Sequence, residues 1–316
     1  EEGPLNIIGV GSCPSRGLRK GVVVNIESTV ESIKKAVEEA ELMAAVQINS
    51  VYTGIAGSHI SGENLKGVVA LKKQEVTRDD ISRAVESART LAVIPHERRI
   101  LHVLPREFMV DDQEGVREPL GMSGNRLEVN VHVITGAVTS AQNIIKSVNR
   151  AGLDVVDIIL QPLASSEAVL SAEERELGVA MVDLGGGTTD LAIFLDGSIR
   201  HTAVLPIGGQ NLTKDLAIGL LTSQTDAEKI KVQHGIARTE LVHGHQMVEV
   251  PSVGDRPPRQ FTRRDIAEIL EPRVEEMFDL VKREIVRAGY EGMLGAGVVI
   301  TGGTSLLEGM PDAAER

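Results

Sequence analysis

The sequence predicts an α/β protein of two similar lobes, the first interrupted by a small α+β unit. Strand-like and helix-like runs alternate through most of the 316 residues. Two distant stretches, GLRKGVVVNIESTVESIKKAV and GSIRHTAVLPIGGQNLTKDLAIGL, each read as a turn, an apolar strand, a polar cap and an amphipathic helix. Such self-similarity marks a duplication. Between 61 and 136 the texture changes to a compact unit with two long alternating strands.

In order, residues 5–10 and 21–26 read as strands and 28–46 as a helix. Ser28 and Glu31 have capping-box spacing, and Ile33, Val37, Ala40 and Ala44 form its apolar face. Residues 50–57 form a strand into a glycine turn. In the inserted unit come a short strand (LKGVVAL), a helix from Thr77 and Asp80 through Leu91, and the strands RRILHVLPREFMVD and NRLEVNVHVITG. A helix at 139–151 and a strand at 154–160 resume the first lobe, and QPLASSEAVLSA leads into another helix. The second lobe reads as strand 179–183, a glycine loop, strands 190–195 and 199–205 joined by the hairpin signal Asp196-Gly197, and helix 211–221. A helix in TDAEKIKVQHG, weak strands at 238–250 and a Pro/Arg-rich loop follow. The next helix starts at Thr262 and Asp265, is kinked or restarted by Pro272 and ends at Gly289. AGVVITGGTSLLEG gives a strand, a double-glycine turn and a helix.

The net charge of −12 argues against nucleic acid, which needs a basic face. With no Trp, two Tyr and four Phe, base-stacking platforms are also scarce. The single cysteine, Cys13, suits a reducing compartment. No apolar run reaches the roughly 18 residues of a spanning helix, and no signal-peptide pattern opens the chain.

The chemistry concentrates at DLGGGTTD. A strand ending in Asp183, then Gly185, Gly186, Gly187, Thr188 and Thr189, offers backbone N–H groups with no side chain in the way. That suits a phosphate, with hydroxyls as further donors and a carboxylate to hold magnesium through waters. A tight turn that permits close packing is the plain alternative. The loop joins two strands, so it is not a dinucleotide fingerprint, and no GxxxxGK[ST] is present.

DLGGGTTD resembles the second phosphate loop of the superfamily of actin, the heat-shock chaperones and the sugar kinases. VVITGGTSLLEG resembles its adenosine loop, and DAEKIK its Glu-x-x-Lys motif. ILQPLASSEAVL, MVDLGGGTTDLAIF, LPIGGQNLTKDLA, PSVGDRPPR and EILEPRVEEMFDLV are similar, nearly word for word, to the FtsA family of bacterial cell-division proteins. The resemblance covers essentially the whole chain. It implies an actin-like (ribonuclease H-like) pair of duplicated domains. The first is 1–60 with 137–175, the inserted α+β subdomain is 61–136, the second core is 176–207 with 271–316, and a further subdomain is 208–270.

The resemblance implies ATP and Mg as ligands. Gly185, Gly186, Gly187, Thr188 and Thr189 would wrap the phosphates, Asp183 would anchor the magnesium waters, and Gly302, Gly303 and Thr304 would flank the adenosine. Glu228 and Lys231, three apart on one helical face, would reach the ribose and base. Gln161 would orient an attacking water, or else caps the helix that follows it. Asp190 is a second metal-side carboxylate or only the start of a strand. Arg256, Arg259, Arg263 and Arg264 suit a partner's carboxylates, as in the FtsZ C-terminal tail, or form a solvated loop.

The family also implies self-polymerisation, contacts of the 61–136 insert with other division proteins, and attachment to the inner membrane by a C-terminal amphipathic helix. Against that pattern, the chain is expected to start inside its first repeat, lacking a front strand and phosphate loop, and to stop before the membrane helix. As it stands it is expected neither to bind membrane nor to hold ATP well. The competing reading is a phosphotransferase of the sugar-kinase branch, for which no separate catalytic aspartate stands out.

Overall fold

The computed structural model describes residues 6–254 and 256–315. A short ladder joins β1 (Leu18–Arg19) to β2 (Val22–Val23), followed by α1 (Ile26–Ala44) and β3 (Ser50–Ile55). The insert holds β4 (Ser61–Ala70), α2 (Arg78–Leu91), β5 (Arg98–Val110), β6 (Gln113–Val116) and β7 (Arg126–Ala137). Next come α3 (Val138–Arg150), β8 (Asp154–Leu160), α4 (Gln161–Val169) and α5 (Ala172–Leu177). β9 (Val179–Leu184), β10 (Thr189–Leu195) and β11 (Ser198–Leu205) lead into α6 (Gly209–Gly219) and α7 (Gln224–His234). β12 (Met247–Val250), β13 (Arg259–Thr262), α8 (Arg263–Ala288), β14 (Val298–Thr301) and α9 (Met310–Ala314) follow.

The second lobe is built on a sheet of order β11-β10-β9-β14, antiparallel except where β14 runs parallel to β9. Asp196 and Gly197 both have positive φ, which matches the twist of the hairpin they close. One sheet face, with Val182, Leu184, Leu191 and Ile193, packs on Leu212 and Leu216 of α6 and on Leu270, Val274 and Met277 of α8. The other, with Val179, Met181, Ala192 and Phe194, packs toward Leu104, Leu163 and Leu170. Burial on both faces explains why these strands read as unbroken apolar runs.

In the first lobe β3 and β8 pair in parallel, and the insert forms its own sheet of order β4-β7-β5-β6 with α2 across it. The insert docks on β11 through polar groups. Buried His132 of β7 sits 2.7 Å from Asn64 Oδ1 and 2.9 Å from Thr202 Oγ1, and Asn64 donates to the Arg200 carbonyl at 3.2 Å. Gly62 makes the room, because a Cβ there would stand 2.7 Å from both the His132 ring and the Thr202 hydroxyl.

Several expectations need correction. No strand forms over 6–10 (Leu5 lies outside the described residues). That segment instead runs along α1, the Ser12 N–H donating to Glu39 Oε2 at 2.7 Å. The 21–26 strand shrinks to Val22–Val23, and α1 begins earlier than expected because Asn25 is its cap, accepting from the Ser28 N–H at 3.0 Å. QPLASSEAV is itself helical, with Pro162 in the first turn where its missing N–H costs nothing. Of the stretch 238–250, only Met247–Val250 is a strand. Pro272 lies inside α8 without ending it. The stripe Ile266, Leu270, Val274, Met277 and Val281 is buried on both sides of the proline, and that packing offsets the lost hydrogen bond. Among the described residues no helix is long and apolar enough to cross a membrane.

Candidate functional site

The loop between β9 and β10 is held from below by its carbonyls. Gly185 O accepts from the Gly209 N–H at 2.9 Å and from Thr304 Oγ1 at 3.0 Å, and Gly186 O accepts from the Gln210 N–H at 2.7 Å. The N–H groups of Gly186, Gly187 and Thr188 make no hydrogen bond among the described residues. With carbonyls turned into the protein and amides left over, the loop presents a concave row of donors suited to an anion. Gly208 must be glycine for this contact, since a Cβ there would meet Gly185 O at 2.7 Å. The β1–β2 turn reaches the same loop from the first lobe, for a Cβ on residue 187 would stand 3.2 Å from the Lys20 Cα.

The two threonines differ. Strand alternation sends them to opposite sides. Thr188 Oγ1 donates to Asp190 Oδ2 at 3.1 Å, whereas Thr189 is fully buried and donates to the Ile207 carbonyl at 2.9 Å. Thr189 thus braces the hairpin and does not face the loop's open side.

Asp183 and Asp190 are direct cross-strand partners. Two carboxylates so placed repel unless a proton or cation intervenes. Asp183 accepts from Ser165 of α4 at 2.7 Å, a bond from the first lobe to the second. Asp190 is buried, its Oδ1 has no partner, and burial, with Asp183 adding to it, pushes its carboxyl up to about 7. An orphaned buried oxygen beside a second carboxylate and a row of free amides fits a hydrated magnesium ion on a phosphate, since magnesium keeps several waters. Among the described residues no group of three or more His, Cys, Asp or Glu is gathered to hold a metal by protein ligands alone.

Gln161 opens α4, and its side chain lies over Gly54 of β3, where a Cβ would approach its Cγ to 2.9 Å. Ser165, one turn on, shares its face. Ser165 belongs to no motif that marks it as a site residue; its spacing of four from Gln161 on this helix is the signal that could have found it.

Beside the loop lies a cavity of about 520 Å³. It brings together Gly186, Glu228, Lys231, Gly303 and Thr304 from three separate stretches of sequence. Lys231 Nζ donates to Glu228 Oε2 at 2.8 Å, to Thr213 Oγ1 at 3.0 Å and to the Gly209 carbonyl at 3.1 Å. The ammonium is therefore fixed at the start of α6, next to the glycine loop. Gly302 stands behind the lining: its φ is +86°, and a Cβ would meet Asp183 Oδ1 at 2.4 Å.

The four arginines do not share one surface. Arg256 and Arg259 line a separate groove with Ala217, Leu221, Val253 and Pro257. Arg259 also donates to the Leu220 carbonyl and lies 5.3 Å above the Phe261 ring. Arg263 instead lines the 520 Å³ cavity, and Arg264 pairs with Glu268 on the exposed side of α8.

A two-lobed α/β frame with this loop geometry defines a protein of the actin-like class. The solved structure of a PilM-PilN type IV pilus biogenesis complex matches over 96% of this chain and 77% of that one, with a TM-score of 0.64 at 17% identity, a likeness of fold. Residues 57–135 match the family described as the SHS2 domain inserted in FtsA, and residues 180–316 match cell division protein FtsA. Relatives of that name from Pseudomonas aeruginosa and Neisseria meningitidis serogroup B are 53% and 47% identical, over 100% of this chain and 75% and 76% of theirs. The chain belongs to the FtsA family of cell-division proteins.

Proposed function

We propose that the chain works in cell division as a nucleotide-gated scaffold whose rear lobe grips ATP. One observation carries this reading. Residues far apart in sequence, Gly186, Glu228, Lys231, Gly303 and Thr304, line one cavity that opens beside a row of unbonded loop amides. In it the amides of Gly186, Gly187 and Thr188 take the phosphates, Glu228 and Lys231 take the ribose, and Asp183 with Asp190 holds the waters of magnesium. When bound, the metal would offset the phosphate charge. Gln161 lies on the α4 face that reaches Asp183 through Ser165, and this reading assigns it to orienting a water.

Lobe closure around the ligand then biases contacts with other copies of the chain and with partners. We assign 1–60 and 137–175, with the 61–136 insert, to the first lobe, and 176–207 and 271–316, with the 208–270 subdomain, to the second. The insert is assigned to later division proteins. The groove at Arg256 and Arg259, apolar along Leu221 and Val253, suits an acidic peptide with apolar anchors, and we assign it to the FtsZ C-terminal tail. The scaffold would act at the cytoplasmic face of the inner membrane.

Equilibrium dialysis of ADP with magnesium tests the grip. Lys231→Ala is expected to weaken binding at least about tenfold, since it removes a charge fixed beside the phosphates. A variant that binds as the wild type does would overturn the reading. For the groove, Arg256→Glu is expected to weaken an FtsZ-tail peptide by about tenfold in fluorescence anisotropy, more at low salt than high. Unchanged affinity would remove the peptide from this groove.

A further inference from the structure

Arg263 has a role that its position in the arginine run conceals. It is the first residue of α8 and lines the same cavity as Gly186 of the glycine loop. Its Nε donates to the His234 carbonyl at 3.1 Å, and its Nη2 pairs with Glu308 Oε2. Glu308 is fixed in turn by its backbone, whose carbonyl accepts from the Ala237 N–H at 2.7 Å. The pair is thus held at the junction of α7, α8 and the turn after Gly303.

Its polar capacity is only partly spent. A guanidinium carries five donors, and these bonds use two; a carboxylate has two oxygens, and one is paired. The arginine side chain is 21% exposed and the glutamate 55%, and both line the cavity. The same cavity is lined by Val232 and Leu306, which are 73% and 86% exposed. Two exposed apolar side chains that share a cavity with a donor and an acceptor match a flat heteroaromatic ring with a polar edge.

We propose that the Arg263–Glu308 pair is the base-reading end of this cavity and selects adenine. Glu308 accepts from the 6-amino group, and Arg263 donates to the adjacent ring nitrogen. The inference rests on the nucleotide reading above and adds to it the residues that choose the base. An ion pair that merely clamps α8 to the turn would affect stability and leave base choice untouched.

The test compares ADP with inosine diphosphate, in which a 6-carbonyl replaces the amino group and N1 carries a proton, in competition binding to the wild type, Glu308→Gln and Arg263→Lys. Urea unfolding of each variant runs alongside. The wild type is expected to prefer ADP by about tenfold, a partly solvated version of the penalty for leaving polar groups unpaired. Glu308→Gln is expected to cut that preference below about twofold, mainly by weakening ADP. Arg263→Lys, which keeps the charge and loses the fork, should narrow it as well. Variants that bind both nucleotides with the wild-type ratio would overturn the proposal while leaving the nucleotide site standing. A wild type that binds neither nucleotide would sink the site and the proposal together.

Discussion

Gly302→Ala is expected to lower stability in urea by about 3 kcal/mol, whereas the neighbouring Gly303→Ala shifts it by less than about 1 kcal/mol. The two glycines look equivalent in VVITGGTSLLEG but do different physical work. Gly302 has φ of +86°, and a Cβ there would stand 2.4 Å from Asp183 Oδ1 and 2.7 Å from the Leu184 carbonyl. Relief would need β14 to part from β9, where Thr301 lies opposite Asp183. At Gly303 φ is not left-handed, and a Cβ meets nothing within 4 Å, because that space is the cavity. A methyl group there is harmless to the fold and stands where the ligand would sit. The expected pattern is therefore crossed: Gly302→Ala loses stability, and Gly303→Ala keeps it but binds ADP at least about tenfold more weakly. Equal stability losses from the two substitutions would contradict the geometry.

The same contrast explains how far the sequence could be read. Where local and tertiary demands agree, as in the β9–β10–β11 meander with its Asp196-Gly197 turn, apolar runs bounded by glycine turns placed the strands to within a residue or two. Thr77 and Asp80 likewise cap α2 reciprocally, as their spacing predicts. Legibility failed where long-range packing decides. Backbone rules alone leave open whether Pro272 kinks or restarts the helix, and the buried stripe on either side of it carries α8 through without a restart. Arg259 and Arg263 are four apart, yet the chain changes from strand to helix between them, so the period that would align them does not apply. Thr189 looks like a second phosphate donor until strand pairing turns its hydroxyl toward Ile207. The partnership of His132 with Thr202 joins residues 70 apart, and no local pattern encodes it.

That partnership yields the largest expected pH effect. His132 is buried where the insert meets β11, and burial, reinforced by the charges of His201 and Arg106, pushes its imidazole down to about 3. Arg200 of β11 also faces this seam, pairing with Asp196 and with Glu107 of β5, while His201 pairs with Glu284 of α8 at 2.8 Å. The neutral ring satisfies both neighbours, donating from Nδ1 to Asn64 Oδ1 and accepting from the Thr202 hydroxyl at Nε2. Because the folded protein binds this proton more weakly than the unfolded chain does, its contribution is full above about 6.5 and is lost as pH falls toward 3. Each pH unit below the unfolded value costs about 1.4 kcal/mol, so roughly 2 kcal/mol goes between pH 6.5 and 5, before most carboxylates titrate. His132→Gln, which cannot be charged, is expected to be less stable than the wild type at pH 7.5 by about 1–3 kcal/mol. It should close most of that gap at pH 5 in urea unfolding. Hydrogen exchange should place the acid-induced loosening at β7 and β11. Parallel stability curves for the two proteins would mean that His132 takes up its proton without opening the seam.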